Sequence, residues 1–172
     1  SVAVDERSGR VYWTQASFGV VSEIRSANPD GSAVQTVVTG VVGDQGIAID
    51  PVGGYLYWVE AKFYMPVSAL VDLISRARLD VSNAEVIYVA PEGRHIHDLT
   101  VDGFAQTLYW RDPTQNRLLR APAAGSSDAT VIATVTGARG FVVQPLSDEL
   151  YFVADSQLWQ ADRDGNNAVA VT

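Results

Sequence analysis

The run Val-Tyr-Trp-Thr at residues 11–14 returns with small changes three more times along the chain. Its aromatic pair recurs at steps of 45, 52 and 42 residues, as Tyr57-Trp58, Tyr109-Trp110 and Tyr151-Phe152. Seven positions before each pair lies an anchor residue, which is Asp5, Asp50, Asp102 or Gln144. A spacing that holds in all copies indicates an internal repeat, and a period of this length is typical of circular or stacked arrays.

Each copy contains four short runs rich in Val, Ile, Tyr and Trp, separated by Gly, Asp, Pro and Ser. No apolar pattern keeps a helical period over three turns, whereas β-branched and aromatic runs bounded by turn residues indicate strands. Four strands per copy of about 40 to 45 residues predict an all-β fold, a β-propeller with four four-stranded blades. We place the blades, in a single domain, at about residues 1–40, 41–90, 91–136 and 137–172.

The composition limits the classes of partner. The chain has 172 residues, of which 47% are hydrophobic, enough to bury the core of one domain. Its formal net charge of -8 should repel phosphate backbones and anionic lipid surfaces, so neither a nucleic-acid nor a membrane partner is expected. The sequence has no cysteine, which excludes disulfides, thiolate metal sites and cysteine nucleophiles.

Two further features bear on source and compartment. The chain begins at Ser1, without a methionine or a charged, apolar leader. This start indicates either a removed leader or a fragment of a longer protein, and it favours an extracytoplasmic location. Eleven arginines accompany one lysine, Lys62, a balance typical of GC-rich bacterial genomes.

The repeated motif resembles that of the YWTD propeller, the repeat class of the LDL receptor, over essentially the whole chain. The resemblance rests on residues 11–14, 46–50, 56–58, 76–80 and 108–110. The Gly-His and Trp-Asp pairs of WD40 blades are absent. An NHL-type propeller would accommodate residues 46–50, but the Tyr-Trp pairs favour the YWTD class.

The chain departs from the YWTD motif at two columns. The motif's aspartate survives only as Asp112, and its other copies are Gln15, Glu60 and Ala154. The motif's arginine is present as Arg76 and Arg120 but replaced by Ser26 and Gln160. Where the arginines remain we expect them to bridge neighbouring blades, so the polar links between blades should be uneven. The cysteine-rich modules of the animal proteins are absent, so receptor function is not carried over.

Closure of the ring is a separate question, because the resemblance implies six blades and the chain has four. Blade ends that stay uncovered would expose apolar faces, here expected to carry Val2, Val4 and Val11 at one end and Phe141, Val143 and Tyr151 at the other. We predict a homodimer, in which blade 4 of each chain packs on blade 1 of the other and completes an eight-bladed ring. A tightly closed four-bladed ring and a fragment of a longer chain are the alternatives.

The repeat also predicts which residues meet at the channel mouth. The loops that enter the innermost strands should form a rim of Asp44, Gln45, Arg94, His95, His97, Asp98 and Arg139. His95 and His97 would point the same way in an extended segment, as a metal or acid–base pair requires. The rim is interpreted as polar loops satisfied by the backbone, as a ligand-binding site, or as a metal or catalytic site, and these alternatives remain open.

Blade 2 breaks the period with an insertion at residues 61–72, predicted to be a loop between its second and third strands. Phe63, Tyr64 and Met65 lie in it, and aromatic and Met side chains on a loop favour a contact surface. The loop would alternatively fold back on its own blade or insert into the partner subunit.

These patterns favour a non-enzymatic binding or scaffold propeller, with an unknown protein or small molecule as its ligand and no cofactor. No Gly-x-Ser-x-Gly elbow and no phosphate loop occurs in the sequence. The rival hypothesis is a lyase or lactonase that uses a divalent metal at the channel mouth through His95, His97, Asp98 and Arg139. Propeller folds host both classes, so the fold alone does not choose.

Overall fold

The computed structural model describes residues 1–17, 20–42, 46–66, 68–144 and 147–171. These residues fold into four four-stranded antiparallel sheets, each made of four consecutive strands. The strands are β1 (Val2–Val4), β2 (Val11–Ser17), β3 (Val20–Ala27), β4 (Gln35–Val41), β5 (Ile47–Asp50), β6 (Tyr55–Tyr64), β7 (Ala69–Arg78), β8 (Glu85–Val89), β9 (His97–Asp102), β10 (Thr107–Asp112), β11 (Arg117–Pro122), β12 (Thr130–Thr134), β13 (Phe141–Gln144), β14 (Glu149–Ala154), β15 (Gln157–Asp162) and β16 (Val169–Ala170).

The prediction of an all-β chain with four four-stranded blades is confirmed. The first strands of the blades, β1, β5, β9 and β13, contact one another in turn and surround a shared cavity of about 360 Å³. This arrangement is that of a propeller, with the first strand of each blade lining a central channel. None of the described segments is a helix long and apolar enough to cross a membrane.

The aromatic pairs hold neighbouring blades together. Adjacent residues of a strand point to opposite faces, so the two members of a pair serve different interfaces. The tyrosines face the following blade, and the tryptophans face the preceding one: Tyr12, Tyr57 and Tyr109 on one side, Trp58 and Trp110 on the other. Trp58 and Trp110 are buried between sheets, while Trp13 is only partly buried.

Polar groups link the blades unevenly, as the departures from the motif predict. Arg76 donates from Nη1 to the carbonyl oxygen of Ala123 in blade 3 at 2.8 Å, and Arg120 pairs with Asp164 of blade 4. Both arginines therefore bridge blades, as expected. The replacement Gln160 instead donates to Glu149 within its own blade, at 2.6 Å.

The anchor aspartates close the turn that follows each first strand. Asp50 is fully buried, and its Oδ1 accepts hydrogen bonds from the backbone N–H groups of Val52 and Gly53 at 2.9 and 2.8 Å. Its Oδ2 accepts a further bond from Gln106 Nε2 of blade 3 at 2.9 Å. Asp102 repeats the local pattern, so both aspartates accept backbone hydrogen bonds in turns.

Gly103 lies so close to Asp50 that a methyl group has no room. A Cβ atom at Gly103 would overlap Asp50 Oδ1, and the hydrogen bonds of Asp50 keep that carboxylate from moving aside. We expect Gly103→Ala to lower the free energy of unfolding by about 1 to 3 kcal/mol, the usual cost of overpacking. Gly140→Ala is the control in chemical denaturation, because a Cβ there meets nothing within 4 Å. Equal losses in the two variants would contradict this account.

The two ends of the array differ from the interior. Packed clusters join blade 1 to 2, 2 to 3 and 3 to 4, and among the described residues no such cluster joins blade 4 to blade 1. At the blade 1 end, Val2 and Val4 are exposed and lie opposite Trp13 and Val11 on the neighbouring strand, as predicted.

The expectation for the blade 4 end is wrong for two residues. Phe141 and Val143 pair across the strands with Phe152 and Leu150, and all four pack toward blade 3. The uncovered face instead carries Val142 and Tyr151, which pair with each other, together with Val153 and Leu158.

Candidate functional site

A β-hairpin rises above blade 2. Its strands β6 and β7 pair without interruption from Tyr55 and Arg78 to Tyr64 and Ala69, and the chain turns through Met65 and Pro66. The neighbouring strands β5 and β8 stop pairing well below this tip. The prediction of a loop at residues 61–72 is therefore wrong, because most of the extra residues lengthen two strands instead of leaving the sheet.

The tip of this hairpin is apolar and open. Phe63 and Leu70 form a cross-strand pair and are 62% and 67% exposed, and Met65 at the turn is 73% exposed. We name these three residues the hairpin tip. Phe63 and Met65 lie where the sequence placed a contact surface, and Leu70 was missed. The side chain of Tyr64 lies outside the part of the chain that the structure describes.

The base of the hairpin is polar and closed. The carboxylate of Glu60 is buried and accepts a hydrogen bond from Ser75 Oγ at 2.7 Å. Lys62 Nζ lies 2.9 Å from its other oxygen. These bonds satisfy both oxygens of the buried carboxylate and hold the two strands together at the base of the hairpin.

Three of the predicted rim residues around blade 3, Arg94, His95 and Asp98, contact side chains of the same chain. Arg94 Nη1 lies 3.3 Å from Asp112 Oδ2, and Arg111 Nε lies 2.7 Å from Asp98 Oδ2. His95 Nδ1 lies 3.3 Å from Asp72 Oδ2, which also accepts the backbone N–H of Ile96 at 2.9 Å. These contacts join this part of the rim to strands β7, β9 and β10.

Sequence reasoning missed Asp72 and Arg111 as rim residues. Both lie inside strand patterns, where a charge is normally interpreted as pointing to solvent. Asp112 carried a signal, since it is the one surviving aspartate of the repeated motif. It accepts the backbone N–H groups of Thr114 and Gln115 as well as the contact from Arg94, so it joins a turn to the rim.

The structure does not bring the two histidines into one bonded group. The side chain of His95 contacts Asp72. The strand that carries His97 is irregular, because Asp98 has a positive φ of 55° and its pairing with β10 shifts in register. Among the described residues no group of three His, Asp or Glu side chains gathers in a way that could hold a metal ion. Arg139 is exposed, and its backbone N–H donates to the carbonyl oxygen of Val153 at 3.0 Å.

Asp44 and Gln45, the remaining members of the predicted rim, lie outside the described residues. The assignment of a ligand to the rim therefore stays a prediction.

A cavity of about 200 Å³ opens beside the rim, between blades 2 and 3. Tyr88, Trp110 and Leu119 line it on the apolar side, and Arg94 and Arg117 on the polar side. The ring centroids of Tyr88 and Trp110 are 4.8 Å apart. Burial raises the pKa of Tyr88, so its hydroxyl stays protonated at neutral pH and can donate a hydrogen bond.

Comparison with known proteins supports the fold. No family model matches the chain. It is 24% identical over 160 residues to protein cueball of Drosophila grimshawi, an alignment that covers 89% of this chain and 25% of that protein. The chain thus spans about a quarter of the length of this curated relative.

Solved structures resemble it over nearly its full length. A chain in the crystal structure of the nidogen/laminin complex matches with a TM-score of 0.78 at 20% identity, covering 98% of this chain and 62% of that chain. A putative TolB from Agrobacterium tumefaciens matches with a TM-score of 0.76 at 12% identity, covering 98% and 63%. At these identities the likeness establishes the fold alone.

Enzymes are also among the structural neighbours. A gluconolactonase from Xanthomonas campestris matches with a TM-score of 0.67 at 15% identity, covering 94% of this chain and 55% of the enzyme. The neighbours therefore include proteins of both classes considered from the sequence, and similarity of fold does not separate a binding propeller from a catalytic one.

Proposed function

We propose that the protein is a non-enzymatic YWTD-type binding propeller that contacts a protein partner through the hairpin tip. The observation that carries this proposal is the exposure of Phe63, Met65 and Leu70 together on one ordered hairpin. A cluster of exposed large apolar side chains marks an interaction surface, and Phe and Met are enriched at such surfaces.

The rim can support the binding role structurally. The side chains of Arg94, Asp98 and His95 meet partners from their own chain. Ion pairs of this kind hold loops in place, so the rim can serve as a rigid platform beside the hairpin.

Site-specific photo-crosslinking tests the proposal. With benzoylphenylalanine at position 63, we expect one protein of the source cell to be crosslinked. With the same group at position 52, we expect none, because Val52 is similarly exposed but lies in the turn after β5, at the other end of the sheet. The crosslinked protein is then purified and its affinity measured by calorimetry.

The affinity of mutants decides whether the tip is the contact. We expect the double variant Phe63→Ser, Leu70→Ser to bind the purified partner at least about tenfold more weakly, since one central apolar residue at an interface is commonly worth 1 to 2 kcal/mol. Val52→Ser should keep the affinity of the unmodified chain. Equal crosslinking at positions 63 and 52, or an unchanged affinity of the double variant, would refute the proposal.

The second candidate is a metal-dependent propeller enzyme acting at the channel mouth. Its support is the contact of His95 Nδ1 with Asp72 Oδ2 at 3.3 Å, since a carboxylate that orients an imidazole is found in both acid–base and metal sites. Metal analysis of the purified chain separates the candidates: one equivalent of a divalent metal, lost on replacing His95 and His97 together, would favour the enzyme. No stoichiometric metal would favour the binding propeller.

A further inference from the structure

The cavity between blades 2 and 3 carries more hydrogen-bond donors than the chain itself uses. Arg117 lines the cavity, and within the described residues its guanidinium has no hydrogen bond or ion pair. An arginine presents five N–H donors in a planar fork. The cavity therefore has one complete, unused cationic fork.

The neighbouring groups add donors but few acceptors. Arg94 uses its Nη1 toward Asp112, and its other guanidinium N–H groups have no partner among the described residues. Asp112 is already engaged by Arg94 and by two backbone N–H groups. The hydroxyl of Tyr88 makes no hydrogen bond with the described residues. A ligand group that lies against the two arginines must accept hydrogen bonds.

The remaining wall is apolar except for His95, Ser127 and Asp128. Leu119 and Trp110 are buried behind it, and Val131 is exposed at its edge. At roughly 30 Å³ per water molecule, the volume would hold about six waters or one small organic molecule. Pockets of this type, apolar with a few placed polar groups, fix the orientation of a ligand by its polar end.

We infer that this cavity binds a small organic monocarboxylate, with the carboxylate on Arg117 and an aromatic or aliphatic group against Tyr88 and Trp110. An arginine fork matches a carboxylate in two parallel hydrogen bonds. Such charge-assisted bonds are stronger than hydrogen bonds between neutral groups. The inference goes beyond the proposed function, because it uses none of the hairpin-tip residues and holds whether or not the tip binds a protein.

The charge around the cavity selects a single negative charge. Asp128 lines the cavity and is exposed, and the chain as a whole carries a net charge of -8. Both repel a dianion more than a monoanion. Inorganic phosphate should therefore bind more weakly than a carboxylate with an apolar group, although both are hydrogen-bond acceptors.

Titration of the purified 172-residue chain with phenylacetate tests the site. Amide and indole N–H signals in heteronuclear NMR report binding, and Trp110 provides a probe in the wall. We expect saturable shifts with phenylacetate. Affinity should fall at least tenfold for phenylacetamide, which has the same shape without the charge, and inorganic phosphate should not compete at equal concentration.

Variants assign the binding to Arg117. Arg117→Gln should weaken phenylacetate binding at least tenfold, and Arg117→Lys, which keeps the charge but loses the fork, should lie between. Arg78→Gln is the control for the loss of one positive charge, because Arg78 lies at the end of β7 and does not line the cavity. No saturable binding of phenylacetate, equal binding of phenylacetamide, or full affinity in folded Arg117→Gln would overturn the inference. If Arg117→Gln does not fold, the Arg117→Lys variant and the phenylacetamide comparison decide it.

Discussion

Replacing Trp58 with alanine is expected to lower the free energy of unfolding by about 3 to 5 kcal/mol, the usual cost of removing a large buried aromatic side chain. Trp58 is 4% exposed and packs into the cluster that joins blades 1 and 2. Its neighbours there come from strands of two sheets, which cannot move together to fill the space without breaking their own hydrogen bonds. The loss should be measured by chemical denaturation at equilibrium.

Trp13 provides the matched control, because it occupies the same repeat position in blade 1 but faces no described sheet. In a monomer, Trp13→Ala should cost well under half of the Trp58→Ala loss, since its side chain already meets water. A Trp58→Ala loss below about 1 kcal/mol would mean that the side chain does not pack between blades. Any additional loss in Trp13→Ala that grows with protein concentration would report on assembly.

The fold could be predicted because the sequence repeats the strand pattern of one blade four times. A constant spacing of seven between anchor and aromatic pair fixes strand register, and alternation then sends Tyr57 to one interface and Trp58 to the other. The anchor Asp50 could be assigned to a turn for a similar reason, since an aspartate before Pro and Gly residues has few other roles.

The error at the blade 4 end could have been avoided by the same alternation. Phe141 has the position of Ile47 in blade 2, and Ile47 packs toward the preceding blade. The wrong prediction of a loop in place of the hairpin has a different cause. Residues 61–72 contain no glycine, and pairs such as Lys62 with Val71 suit a strand as well as a loop, so local propensity alone did not choose between the two.

The position of the rim could be predicted from the sequence, but the partners of its side chains could not. Its position followed from the repeat, whereas its partners Asp72 and Arg111 come from other strands of the sheets, and a pairing between distant residues leaves no local pattern. The same reasoning explains why the lack of a partner for Arg117 among the described residues was not predicted. A side chain is recognised as unpaired only when every neighbour that could pair with it is known.

The largest expected effect concerns the mass of the protein in solution, which reports whether two chains associate. Blade 1 presents a face of the tryptophan type and blade 4 a face of the tyrosine type, the two kinds that meet at each packed interface inside the array. The prediction of a two-chain ring follows, because a second copy supplies both missing faces at once around a two-fold axis. Two such contacts should bury more than the ~1,200 to 2,000 Å² of a stable interface.

Light scattering on the 172-residue chain should therefore give about 37 kDa, twice its 18.5 kDa. Val142→Asp should return the mass to that of a single chain, because Val142 is exposed on the uncovered face and its change to a charge costs little in a monomer but much in a buried contact. Val52→Asp, at a similarly exposed position in the turn after β5, should leave the mass near 37 kDa. A stable single-chain species for the unmodified protein at micromolar concentration would exclude the two-chain ring, because half of an eight-bladed ring would leave both of its interblade faces in water.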